Sequence, residues 1–218
     1  MPATTNSPPS LSLVDVTAGY VHGSPIISHA DLALTRPGLV HLRGPNGSGK
    51  STVGELVSGY LCPWSGHVLV NGHAAGDRAA RVSRRVCRAE PALFPAMTVH
   101  DHIVLTSRAR GIGPEFGFRR AAALGLEPWL GKNAASLSTG TAKKLWYVMC
   151  TLGDFTVAVL DEPFNGVDTG SAEVMAGEMV EWSDAAIVVL IAHALEATLP
   201  VSRAIDISKL GAATHWTP

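Results

Sequence analysis

A chain of 218 residues is long enough to bury a sizeable core as one large domain, or as a domain with a small inserted lobe, and too short for two full-size domains. The formal charge of −1 excludes a global field for gripping nucleic acid. Charged residues make up only 16 % and the mean hydropathy is +0.20, so some apolar surface is expected to face a partner.

The first ten residues, "MPATTNSPPS", carry neither a basic start nor an apolar run. They read as a disordered tail over 1–10, not as a secretory signal, and leave 11–218 as a single domain. The apolar stretches 145–160 and 185–201 contain Asp154, His193 and Glu196 and fall short of the roughly 20 clean apolar residues of a membrane span. Cys62, Cys87 and Cys150 are odd in number and far apart, which argues against a disulfide framework or zinc site and for small core hydrophobes.

The segment "GLVHLRGPNGSGKSTVGELVSGYL" reads as a strand, Gly38 to Arg43, a glycine-rich turn, and a helix with Val53, Leu56, Val57 and Tyr60 on one face. Its turn fits G-x-x-x-x-G-K-[ST], with Gly44, Gly49, Lys50 and Ser51 at the required spacing, Pro45, Asn46, Gly47 and Ser48 between them, and Thr52 following. In this motif backbone N–H groups wrap phosphates and the helix N-terminus favours their charge. The lysine reaches the β and γ oxygens, and the hydroxyl ligates Mg²⁺. Strand, loop and helix in this order favour a nucleotide site over a ligand-free turn.

Further along, Thr98 followed by Asp101 predicts a helix cap, and 98–133 reads as helical with a break at "RGIGPEFG". His100 and His102 have no other ligands nearby, so no metal site is expected there. "LSTGTAKKLW" runs from a polar loop into a helix that Ser138 can cap, with Lys143 and Lys144 on a solvated face. "TVAVL", Thr156 to Leu160, is apolar on both faces, as a buried parallel strand should be, and ends in Asp161, Glu162 and Pro163. Carboxylates beyond that edge of a parallel sheet stand where phosphate loops also sit. Asp161 can hold Mg²⁺ through water, and Glu162 can polarise an attacking water. A last apolar strand, "AAIVVLI", precedes His193.

From about Leu11 to Leu210 these motifs resemble the nucleotide-binding domain of ABC transporters. Gly44 to Thr52 is similar to that family's Walker A motif, Val157 to Glu162 to Walker B, and "FNGVD", Phe164 to Asp168, to the D-loop. "LSTGT" stands in the place of the signature motif, with Thr139 for the first glycine and Thr141 for the glutamine. The resemblance implies an α/β fold of the P-loop NTPase kind: a RecA-like parallel core, an antiparallel β portion near the N-terminus, and a helical subdomain inserted at about 92–136. It implies ATP with Mg²⁺ held by Ser51 and Asp161, and two such domains paired head to tail, homodimeric or heterodimeric.

In that pairing Ser138 and Gly140 would face the γ-phosphate across the interface, with Asp168 at the nucleotide as well. The resemblance makes Tyr20 an adenine-stacking ring, although a tyrosine at a strand end can be structural. It makes His193 a switch that contacts the γ-phosphate, although it could instead bond within the core. Where the family carries its Q-loop glutamine, "RAEPALFPAMTV" has Ala89 and then Glu90, which either substitutes or is a solvated acid. Leu93, Phe94 and Met97 are candidates to receive a coupling helix or are ordinary core. The implied partner is a separate transmembrane permease, with no nucleic acid, at the inner face of the cell membrane, in an exporter of the ABC-2 kind. Rival readings are a soluble ABC protein, a P-loop kinase and a weakly hydrolysing regulatory binder. The kinase would leave 137–168 without a purpose, and Ala89 and Thr139 give the regulatory binder some support.

Overall fold

The computed structural model describes residues 8–192 and 199–210. An antiparallel sheet is built from β1 (Leu11–Ala18), β2 (Ile27–Leu34), β4 (Ser65–Val70) and β5 (His73–Ala74), in the order β2-β1-β4-β5. Between β2 and β4 the chain makes β3 (Gly38–Arg43) and the helix α1 (Lys50–Ser58). After β5 come α2 (Arg78–Ser83), β6 (Arg84–Cys87), α3 (Val99–Ala109), α4 (Pro114–Ala123), α5 (Thr139–Thr151), β7 (Val157–Asp161), α6 (Thr169–Ser183), β8 (Ile187–Ile191) and β9 (Arg203–Asp206). Every pairing in the second sheet, β6-β7-β8-β3-β9, is parallel. The α/β expectation with an antiparallel portion near the N-terminus is therefore met.

The two-sided apolar strands explain why this sheet sits in the middle. Alternate residues point to opposite faces. Val157, Val159, Ile187, Val189 and Ile191 therefore pack with the antiparallel sheet and with Val53, Leu56 and Val57 of α1. On the other face Ala158, Leu160, Val188 and Leu190 pack with Leu145 and Val148 of α5 and Met175 and Met179 of α6. All five residues of β7 and all five of β8 are buried. Among the described residues no helix is long and apolar enough to cross a membrane.

The helical segment is pinned by polar contacts that its sequence partly announces. Thr98 accepts from the Asp101 N–H at 3.1 Å and Asp101 accepts from the Thr98 N–H at 3.4 Å, the reciprocal cap predicted for α3. His102, fully buried, accepts from the Phe94 N–H through Nε2 at 3.0 Å and donates through Nδ1 to the Thr98 carbonyl at 2.8 Å. It thus ties the 91–97 loop to α3. On α4, Arg120 makes a two-pronged contact with Glu178 of α6, both bonds 2.7 Å, and its guanidinium lies over the rings of Tyr147 and Trp182.

Three expectations need correction. Tyr60 is not on the buried face of α1: the helix stops at Gly59, which turns left-handed at φ 70°, and Tyr60 beyond it is 80 % exposed. Cys62 is exposed and not a core hydrophobe, unlike Cys87 and Cys150. The fixed chain also begins before Leu11. Pro9 is buried, and Ser10 exchanges two hydrogen bonds with Asn71, one of 3.0 Å to its side chain and one of 2.8 Å from its N–H.

Candidate nucleotide site

The strand β3 feeds directly into the glycine-rich loop, whose crown, Pro45, Asn46 and Gly47, is exposed. Gly44 is obligatory by space: a Cβ there would lie 2.5 Å from Ile207 Cγ2 and 2.9 Å from Ser48 Oγ. Gly49 is obligatory by conformation, because it precedes α1 at φ 96°. Lys50 is buried at the base, its ammonium donating to the carbonyls of Gly44 (2.8 Å) and Pro45 (2.9 Å), so the loop closes around a fixed positive charge. Thr52 is buried on the next turn.

The start of α1 has no side-chain cap and no acidic residue in its first turn. Those first N–H groups carry the positive end of the helix dipole. Beside them Ser48 Oγ is buried with no hydrogen-bond partner among the described residues. An orphaned buried hydroxyl, an uncapped helix start and a fixed ammonium in one loop form a cradle that suits a phosphate chain.

The carboxylates reach this cradle through the sheet order. Strand β8 lies between β3 and β7, and Asp161 ends β7 opposite Ile191 of β8. Asp161 is 7 % exposed. Burial pushes its carboxyl above the ordinary range, while the Ser51 hydroxyl and the ammonium of Lys50 oppose the shift. A buried carboxylate against a hydroxyl is a donor set that suits Mg²⁺, a hard cation that takes oxygen ligands.

Glu162 adopts φ 46°, a left-handed conformation that costs a non-glycine residue about 1–3 kcal/mol. Its N–H is fixed to the Ile191 carbonyl at 2.8 Å. Strain of this kind concentrates where a side chain must be held in a particular place, and here it falls on the residue assigned to water activation. His193 lies outside the described residues. The chain leading to it is anchored by His41 of β3, whose Nε2 meets the Ala192 carbonyl at 2.9 Å.

Ala89 follows β6 and lines a small cavity shared with Asp161, Glu162, Pro163 and Lys143. Glu90 beside it is exposed. Lys143 thus faces the carboxylates, and its charge lowers the Asp161 pKa in opposition to burial, whereas the helix pattern placed it on a solvated face. Lys144 is not solvated either. Its side chain is 12 % exposed and its ammonium bonds Asp168 at 3.0 Å and Ser171 at 3.3 Å. Sequence spacing describes a helix against itself and says nothing about a carboxylate arriving from α6.

The signature segment is held internally. Ser138 Oγ accepts from the Thr141 N–H at 3.2 Å and meets Thr141 Oγ1 at 2.8 Å, so the hydroxyl caps α5 and Thr141 is its partner. Ser138 and Thr139 are exposed. Gly140 abuts the D-loop, and a Cβ on it would lie 2.4 Å from the Gly166 carbonyl. Asp168 caps α6 through the Ser171 N–H at 2.9 Å. That N–H, then the Lys144 ammonium, hold its carboxyl far below the usual range. The bonds of Ser138 and Asp168 run to Thr141, Lys144 and Ser171, and none reaches Lys50 or Ser51.

Tyr20 is 59 % exposed in the turn between β1 and β2. Ile26 from the same connection and Ile27, the first residue of β2, flank Gly49, 3.0 and 3.2 Å from where its Cβ would be, so this turn borders the phosphate loop. Of the three apolar residues proposed to meet a partner, Leu93 packs against the second core and Phe94 is 57 % exposed.

Comparison with known proteins agrees with this fold. Residues 27–165 match the family model described as ABC transporter. The chain is 31 % identical over 195 residues to the rat ATP-binding cassette sub-family A member 7, across 85 % of this chain and 9 % of that protein. It is 28 % identical over 179 residues to the taurine import ATP-binding protein TauB of Ruegeria pomeroyi, across 79 % of this chain and 66 % of that one. The chain spans about a tenth of the length of the sub-family A relatives it matches. A solved structure of the ATP-binding subunit of an ABC transporter superposes with a TM-score of 0.77 at 26 % identity, covering 85 % of this chain and 80 % of that one.

Proposed function

We propose, from the premise that this chain belongs to the ABC transporter family, that it is an ATP-hydrolysing subunit that drives export through a separate transmembrane permease. The observation that supports this most is the cradle itself: Lys50 fixed in the loop by two carbonyls, with Asp161 and Ser51 side by side at its edge. Bound Mg²⁺ would supply charge neutralisation on the β- and γ-phosphates. The chain's own residues do the rest. Main-chain N–H groups of 46–52 hold the phosphates, the Lys50 ammonium turns from loop carbonyls to phosphate oxygens, and Ser51 and Asp161 are the residues that would hold the metal, directly or through water. Glu162 orients and polarises the attacking water, and the exposed Tyr20 ring covers the adenine.

The trans half of the site comes from a second nucleotide-binding domain that offers its counterparts of Ser138 and Gly140 to this one. ATP then draws the pair together because the closed form makes more contacts with it. Export and a separate permease are this reading's own commitments, and the likeness to an import ATP-binding protein is the observation on the other side. The test is affinity purification of the tagged full chain from detergent-solubilised membranes of its source organism, with a polytopic protein expected in stoichiometric amount. Recovery with soluble proteins alone would overturn the transport assignment.

A further inference from the structure

Two adjacent lysines of α5 are used in different ways. Lys144 is bonded to Asp168 and Ser171, whereas among the described residues no salt bridge reaches the half-buried Lys143. Lys143 instead lines a cavity of about 10 Å³, together with Ala89 after β6, Trp146 and Tyr147 of α5, and Asp161 and Glu162 at the end of β7. That is roughly the room a single water takes.

The other polar side chains of the wall are already engaged. Trp146 Nε1 donates to the Arg88 carbonyl at 3.1 Å, the Tyr147 hydroxyl donates to the Met175 carbonyl at 3.4 Å, and the Arg88 guanidinium is paired with Glu55 of α1. Ala89 offers only a methyl group. What remains at the cavity is one ammonium and two carboxylates, enough polar partners to hold a buried water. No salt bridge joins Lys143 directly to Glu162, and a polar gap of this kind is one that a bridging water spans. Asp161 already meets the Ser51 hydroxyl on the side of the phosphate loop, which leaves Glu162 as the group that such a water serves.

We propose that Lys143 is a positioning residue for hydrolysis: through one water held in this cavity, its ammonium orients the Glu162 carboxylate that polarises the attacking water. The inference rests on the assignment of Glu162 to water activation. The backbone of Glu162 is fixed, at φ 46° and with its N–H on the Ile191 carbonyl at 2.8 Å, but a glutamate side chain keeps rotational freedom beyond its Cβ. A charge-assisted contact relayed by water removes that freedom. Placement matters because a misplacement of about 1 Å at the reacting centre costs up to about 100-fold in rate. Lys143 lies in the first turns of α5, so the helix whose start carries Ser138 also reaches the carboxylate of its own chain.

The test is a double-mutant cycle on the full chain, Lys143→Met against Glu162→Gln, read by single-turnover phosphate release at saturating Mg·ATP and by equilibrium Mg·ATP affinity. Lys143→Met should slow phosphate release about 10- to 100-fold while its Mg·ATP affinity and circular dichroism stay those of wild type. In the Glu162→Gln background the same substitution should change release by less than about 2-fold, because the group it acts through is already gone. The cycle is repeated with Lys143→Gln, so that a folding defect of the methionine variant does not decide the result. An unaltered rate in Lys143→Met, the same fold-loss in both backgrounds, or a loss that follows lowered Mg·ATP affinity would overturn the proposal alone. Wild-type turnover in Glu162→Gln, or no detectable turnover in wild type, would overturn it together with the hydrolytic role given to Glu162.

Discussion

The two ends of the proposed nucleotide site differ in how their polar groups are used. At the phosphate loop, α1 begins without a side-chain cap, Ser48 Oγ is buried with no partner among the described residues, and Lys50 is held by loop carbonyls that a phosphate can displace. At the signature segment Ser138 already caps α5, Asp168 already caps α6 and pairs with Lys144, and Gly140 is seated against Gly166. The first region is polar and unsatisfied within the chain, which is the condition of a binding site. The second is satisfied and rigid, which suits a surface that is presented whole to another subunit, with Ser138 and Thr139 exposed at its tip.

That contrast can be broken most forcefully at Glu162. Glu162→Gln keeps the shape and removes the charge, so phosphate release should fall by about 10²–10⁴-fold while ATP affinity is retained. Comparable, near-zero turnover in both proteins would make the chain a nucleotide binder with little hydrolysis, and comparable high turnover would remove Glu162 from the chemistry. Next in size is Gly140→Ala, whose added carbon must displace the Gly166 carbonyl. Denaturant unfolding should show a loss of about 1–3 kcal/mol, and no loss would mean that signature helix and D-loop are not locked together.

Asp161 tests the open half in the opposite sense. Because burial raises its folded-state pKa, its contribution to stability is present below the unfolded value near 3.9 and is lost as pH rises through the folded value. Asp161→Asn should therefore leave the free chain as stable as wild type, or more stable by up to about 1 kcal/mol at neutral pH, while abolishing the thermal shift given by Mg·ATP. The smallest effect is at Asp168. Its folded-state pKa is depressed, so its stabilisation is present above about 4 and fades as pH falls. The pair with Lys144 is largely exposed on the aspartate side, so Asp168→Asn should cost less than about 1 kcal/mol and flatten the acid limb of the unfolding curve.

The parts of this architecture legible in the sequence are those set by local rules. The buried strands β7 and β8 show as unbroken apolar runs, the Thr98–Asp101 cap shows as an i, i+3 pair, and the phosphate loop shows because backbone curvature demands glycines at fixed spacing. What escaped the sequence is set by residues far apart along the chain. Lys143 and Lys144 look solvated on a helical projection, and only the fold brings Asp161 and Asp168 to them. A cluster of arginines is invisible for the same reason, since Arg110 arrives from the end of α3 to line one cleft with Arg81, Arg84 and Arg85. Tyr60 was misplaced because helical periodicity alone does not weigh the left-handed Gly59 that ends α1 before it.

Equilibrium binding of Mg·ATP to the wild-type chain and to Lys50→Ala tests the central claim most directly. Removing a buried ammonium that should bond phosphate directly predicts a loss of at least about 2–3 kcal/mol, roughly 30- to 150-fold in affinity. Equal affinity for the two proteins would contradict the site itself, and every role assigned to the residues around it.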